Sequence, residues 1–231
     1  MKKIICSHKI TREIESALLK LNLEAIKLRG INKFGEFHPL NYHPDMFCFN
    51  LRANTWIFYE SVCENNKEIL DSLNLDIIIE PDPVSCEYPH YIGLNCAKVR
   101  ESLICAKKFA NAKILEEFEN IIDVKQGYSR CSTCIAGDAI ITADKNIYKN
   151  FPGDKLIIEL GHINLHGYSY GFIGGCSGFI EDDATRMLLF TGNVELHPDY
   201  LKIKEFCGDK KIDIRSLSQE KLKDYGGLLV L

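Results

Sequence analysis

Apolar residues in this chain come in short runs, and the spacing within the runs alternates between two periods. Ile4-Ile5-Cys6 is a continuous apolar run within Lys2–Ser7 and predicts a buried strand. Thr11-Arg12-Glu13-Ile14 follows with a capping hydroxyl and an acid in the first turn. Ile14, Ala17, Leu18 and Leu21 lie on one face of the helix it opens. Leu23–Leu28 predicts a second strand, so the chain opens strand, helix, strand.

The pattern then recurs. Residues 45–49 alternate apolar and turn-like positions, 51–54 form a turn, and Thr55–Tyr59 is rich in aromatic and β-branched side chains. A helix over 66–73 and a strand over 75–79 complete this unit. The next begins at 91–96, turns at Arg100-Glu101, and continues as strand 102–106, helix 112–120 and strand 121–125. Another runs through 130–136, strand 139–143, helix 146–150 and strand 155–160. The last runs from 171–177 through a turn at Glu181-Asp182-Asp183 to strand 187–190, helix 198–206 and strand 212–216. The second strands begin near Thr55, Ser102, Ala139 and Met187, steps of 47, 37 and 48 residues, a period that belongs to an array or ring of supersecondary units. The chain ends on a lone apolar strand, 227–231, without the strand, helix and strand that should follow it. The N-terminal segment supplies those pieces in that order. The termini together predict a fifth unit, which closes the ring without an exposed strand edge. The expected fold is one α/β domain over 1–231, a five-unit α/β propeller closed by pairing of the N- and C-terminal strands.

Composition narrows the partners. The 231 residues are 46% hydrophobic and 26% charged, values of an ordinary globular chain. Lys+Arg 28 against Asp+Glu 32, with no basic block, argues against nucleic acid or an anionic membrane as partner. Apolar runs such as 156–160 and 187–190 are too short to cross a bilayer. The start, Met1-Lys2-Lys3-Ile4-Ile5-Cys6-Ser7-His8, lacks the long apolar segment of a secretory signal, so a cytoplasmic location is expected. There the ten cysteines should be free thiols. Only Cys131-Ser132-Thr133-Cys134 has a pair spacing suited to metal or redox chemistry, and no second pair or nearby His completes a finger.

Five strand-hairpin, helix, strand units in a closed ring resemble the pentein fold of the guanidine-modifying enzymes: deiminases, amidinotransferases and dimethylarginine hydrolases. His43-Pro44-Asp45-Met46-Phe47 is similar to the H-x-D-x-F segment that carries the catalytic His of deiminases. Gly93-Leu94-Asn95-Cys96 is similar to the segment carrying their nucleophile, and 130–141 looks like their acidic segment. Asp224-Tyr225-Gly226-Gly227 is similar to their acid-glycine-glycine segment. Val124-Lys125-Gln126-Gly127-Tyr128, the Gly174-Gly175-Cys176-Ser177-Gly178 turn and the Asp-Tyr-Gly-Gly ending more specifically resemble an uncharacterised bacterial domain-of-unknown-function family of this fold. Deiminases run acid, His, Cys. Here the His-like unit precedes the Cys-like one and the acidic unit is split across the termini, a permutation that a ring tolerates.

The resemblance implies a Cys/His-dependent hydrolase or transferase acting on a small guanidino or amide substrate, with no cofactor and no metal. Attack on an amidine carbon needs a thiolate, a proton donor for the leaving amine and a carboxylate for the cationic group. The expected catalytic residues are His43, Asp45, Cys96 and Asp224, meeting where the first strands of adjacent units line the axis. Asn95, Cys134, Asp138 and Cys176 are the expected substrate contacts. Cys96, Cys134 and Cys176, read as equivalent points of three consecutive units, would equally allow a zinc or redox site, or serve as small fillers where strands crowd together. A non-catalytic ring that binds a ligand or protein partner is the alternative class. His197-Pro198-Asp199 repeats the letters of the His43 motif but opens a helix, which gives it a structural reading. Tyr168 and Tyr170, in a Gly-rich loop with His162 and His166, read as a pocket mouth or a solvated loop.

Overall fold

The computed structural model describes residues 1–33, 35 and 38–231. It opens with strand β1 (Lys2–Ser7), helix α1 (Arg12–Lys20) and strand β2 (Leu23–Leu28). The Thr11 hydroxyl accepts from the Ile14 N–H and caps α1, whose buried Ile14 and Leu18 face the core. A helical turn α2 (Pro44–Phe47) leads into β3 (Cys48–Arg52), β4 (Thr55–Tyr59), α3 (Glu60–Asn65), α4 (Lys67–Asp71) and β5 (Asp76–Glu80). The next unit is β6 (Ala97–Val99), β7 (Ser102–Cys105), α5 (Ala112–Glu117) and β8 (Asn120–Asp123). A second helical turn, α6 (Ser129–Ser132), precedes β9 (Thr133–Ala136), β10 (Ala139–Thr142), α7 (Lys145–Asn150) and β11 (Lys155–Ile157). The chain finishes with β12 (Ser177–Glu181), β13 (Arg186–Phe190), α8 (Tyr200–Asp209), β14 (Asp213–Ser216) and β15 (Leu229–Val230).

These strands form five three-stranded sheets of one plan. A first strand pairs antiparallel with a second, and the second pairs parallel with a third. The parallel pair needs a crossover connection, and a helix supplies it in each unit. The fifth sheet is assembled from both termini: Ile4 pairs with Val230 and Ile5 with Leu229, while β1 runs parallel to β2 over its whole length. Neighbouring units touch around a closed circuit. Asp45 N–H donates to Gly226 O, Lys98 Nζ to Leu51 O, Arg130 N–H to Asn95, Gly175 N–H to Cys131 O, and Leu228 N–H to Ser177 O. Third strands such as β5, β8 and β14 are the most exposed. All five first strands line one cavity, so the five-unit pentein-like arrangement is the one observed. Among the described residues no helix is long and apolar enough to cross a membrane.

Two local expectations change. The helix expected over 66–73 opens earlier, at Glu60, and is interrupted at Asn66, whose buried side chain accepts from Arg29 N–H and donates to the Arg29 and Val62 carbonyls. The segment 45–49 is not a strand throughout. Pro44 sets up a helical first turn, and the extended chain starts only at Cys48.

Candidate functional site

The two short helical turns that abut first strands carry the site. In α2 the Met46 N–H closes on His43 O at 3.0 Å, and the Asp45 N–H reaches Gly226 O at 3.1 Å, which locks the turn to the C-terminal segment. Gly226 has φ +79°, and a Cβ there would lie 2.4 Å from His43 Cα, so only glycine lets the two backbones approach this closely. In α6 the Ser132 N–H closes on Tyr128 O, and the Cys131 carbonyl accepts from Gly175 N–H. A Cβ on Gly175 would fall 2.0 Å from Asp224 Oδ1. The glycine pairs of the sequence thus make room for the carboxylate and the histidine.

These turns place His43, Asp45 and Cys131 together. A ring nitrogen, a carboxylate oxygen and the sulfur lie within 4.8 Å of one another, and all three residues are buried. His43 Nδ1 is 3.6 Å from Asp224 Oδ1, while Asp224 itself accepts from Phe172 N–H and Gly226 N–H. His43 Nε2 and both carboxylate oxygens of Asp45 are buried without a hydrogen-bond partner. Buried polar atoms are nearly always paired, so three such atoms at one point single out this cluster as the candidate site; the Cys131 thiol is the group nearest to serving Asp45. Asn95 ties the turns together. Its Nδ2 donates to Asp45 O at 2.8 Å and reaches Cys131 Sγ at 3.1 Å, and its Oδ1 accepts from the Arg130 and Cys131 N–H groups at 3.0 and 3.4 Å.

Protonation follows from this crowding. Burial raises Asp45 above the usual carboxylate range. The nearby Asp224 charge pushes the same way, against His43 and Arg130. Burial also pushes the Cys131 thiol well up, and the Asp45 and Asp224 charges add to that, with the Asn95 amide opposing. A cation arriving beside both carboxylates would reverse the charge part of both effects. The same His, Asp and Cys atoms also form a three-donor set of the kind zinc accepts.

The site opens into a cavity of about 260 Å³. His43, Cys131 and Asp224 form its inner end, and Tyr128, Phe172, Tyr168, Tyr170, Pro39 and Leu165 form its walls. Tyr128 stacks on Phe172 with ring centroids 6.0 Å apart, and its hydroxyl meets that of Tyr91. Tyr168 and Tyr170 thus stand at the pocket. Among the described residues no Lys or Arg lines it.

Of the expected residues, His43, Asp45 and Asp224 converge. Cys96 does not join their sulfur-containing cluster. It lies at an extended position, one residue beyond the Ala97↔Ile104 pair, where it bonds Gly93 O at 3.8 Å and interacts with Cys105. Asn95 spends its amide on protein groups. Asp138 is exposed on the β9–β10 hairpin turn, 4.0 Å from Arg100. Cys134 and Cys176 lie in an apolar cluster with Ile141, Leu188 and Phe190. The equivalence of Cys96 with Cys134 fails by one residue: Cys134 pairs with Ile141 as Ala97 does with Ile104, and a one-residue offset turns a strand side chain to the other face. Cys96 lines the axis cavity with Asp45, whereas Cys134 and Cys176 pack into the apolar cluster, so the three thiols do not gather at one point. Cys131, which was not among the expected site residues, is the sulfur that lies beside His43 and Asp45. Its signal was the four-residue turn before β9, which matches α2 before β3.

Residues 5–229 match the model of DUF6873, a family of unknown function. No curated protein matches the chain. A solved structure of DDAH from Pseudomonas aeruginosa, a cysteine-to-serine mutant complexed with citrulline, is similar at 11% identity and a TM-score of 0.48, covering 94% of this chain and 92% of that one.

Proposed function

The chain belongs to DUF6873, a family of unknown function, and from that premise we propose that it is a cysteine-dependent enzyme acting on a C–N bond of a small cationic amidine or guanidine. The observation that carries this reading is His43, Cys131 and Asp224 together at one end of an aromatic-walled cavity, with His43 Nε2 unpartnered and Asp45 buried behind them, its carboxylate within 4.8 Å of the His43 and Cys131 donor atoms. Asp224, which lines the cavity beside His43 and Cys131, holds the cationic group. The cation's positive charge offsets the Asp45 and Asp224 charges, which add to burial in keeping the Cys131 thiol protonated, so substrate itself favours the thiolate. The thiol proton passes to His43 Nε2 as Sγ bonds the amidine carbon. His43, oriented by Asp224, returns that proton to the departing amine as the C–N bond breaks. Water then adds to the carbon, gives a proton back through His43, and the C–S bond breaks to restore the thiol. The net change is amidine plus water to ureide or amide plus amine.

The test is alkylation with iodoacetamide, read by mass spectrometry at each cysteine, with and without acetamidinium, beside an ammonia-release screen of substituted guanidines. Acetamidinium should speed labelling of Cys131, and Cys131→Ser should abolish turnover while Cys96→Ser keeps it. Labelling of Cys96 instead, or turnover that survives in Cys131→Ser, would sink the assignment. The depth of burial of the group also suits a ring that only binds a cation. That reading predicts acetamidinium binding, unchanged in Cys131→Ser, with no turnover of any guanidine.

A further inference from the structure

The ring axis holds a second cavity. It measures about 220 Å³, is lined by all five first strands, and shares no lining residue with the aromatic-walled one. Asp45 lines this cavity while His43 and Cys131 line the other, so the buried group forms the partition between them. The walls are apolar: Phe49, Trp56, Ile135, Phe179, Leu229 and Val230. Charges stand at two places. At the partition Arg130, which donates to the Thr133 and Gly174 carbonyls, faces Asp45. On β6, two residues from Cys96, Lys98 reaches across to Asn50 Oδ1 at 3.4 Å and Leu51 O at 3.1 Å.

Lys98 is the odd element. It is half-buried on an apolar wall, and among the described residues no carboxylate comes within ion-pair distance of it. Glu101 and Glu117 act on it only from further away. An ammonium has three donors; two are spent on neutral oxygens and one remains. A lysine held this way at an apolar cavity fits a ligand with one negative oxygen pair and a hydrocarbon body.

We propose that this cavity binds a small monocarboxylate, with its carboxylate on Lys98 and its apolar chain among Phe49, Ile135 and Phe179. The site is independent of the chemistry assigned to Cys131. A carboxylate bound here would close one end of the ring axis behind Asp45.

Trp56 is the only tryptophan in the chain and lines the cavity, so its fluorescence reports occupancy. Hexanoate is titrated against hexanol and hexylamine, with equilibrium dialysis of radiolabelled hexanoate as a second readout. Hexanoate should give a saturable signal and bind on the order of tenfold more tightly than hexanol, the value of one charge-assisted hydrogen bond. Lys98→Met should lose that advantage and Lys98→Arg should retain it, both with unchanged urea midpoints. Should Lys98→Met fold poorly, Phe179→Glu, which puts a carboxylate in the wall, should abolish binding instead. Equal affinity for hexanoate and hexanol, an unaffected Lys98→Met, or no saturable binding by either readout overturns the proposal. Turnover by Cys131 can fail without touching these results.

Discussion

Replacing Asn95 by leucine tests how the site is held. The two side chains share one branched skeleton of four heavy atoms and leucine is the bulkier, so no cavity opens, but every polar contact of the amide is lost. The Asp45 carbonyl loses its 2.8 Å donor and the Arg130 N–H loses its 3.0 Å acceptor, both deep in the ring. Leaving a buried polar group unpaired costs about 1–3 kcal/mol. Two such groups give about 4 kcal/mol, and the longer bond from Cys131 N–H, at 3.4 Å, adds little. A domain has only about 5–15 kcal/mol to lose. The loss should appear in urea unfolding as a midpoint lowered by about 2 M at unchanged slope, for a slope of about 2 kcal/mol/M. Because Asn95 also reaches Cys131 Sγ and opposes the rise of its thiol pKa, alkylation of Cys131 should slow further. A loss under about 1 kcal/mol would refute this account. It would favour the role first expected of Asn95, a substrate contact whose removal weakens binding and leaves stability alone.

Asp45→Asn should change the pH dependence of stability. The folded-state pKa of Asp45 lies above its unfolded value, so the folded chain binds the proton more tightly. The stability this group supports is complete below the usual carboxylate range and is lost as pH rises through the folded-state pKa. The variant should therefore gain on the wild type in urea midpoints as pH increases from about 4, and parallel curves would contradict the burial penalty assigned to Asp45. Deleting residues 228–231 removes the Ile4↔Val230 and Ile5↔Leu229 pairs and uncovers the edges of β1 and β12. The truncated chain should show no cooperative thermal transition by circular dichroism, and a native-like melting curve would show that closure is dispensable.

Much of the plan was legible in the chain because its causes are local. Each unit repeats an apolar strand, a polar turn and an amphipathic helix, and such periods survive without knowledge of neighbours. The complementary fragments at the two ends gave the closure in the same way, since a lone strand and a unit missing its first strand have one obvious partner. His43, Asp45 and Asp224 were also visible, as polar residues beside proline or glycine at the starts of first strands. Which sulfur meets them was decided only in three dimensions. Cys96 sits one position beyond a strand pair and turns toward Cys105, whereas Cys131 sits on a helical turn that carries it under Asp45. A single residue of register, or one helical turn in place of an extended step, reverses the direction of a side chain, and nothing in the spacing of cysteines records it. Asp138 shows the same limit from the other side: its place in the repeat was legible, but a hairpin tip, turned by Gly137 at φ +72°, points into solvent. Local sequence sets what each unit is; the packing of units against one another sets which of its atoms face a common point.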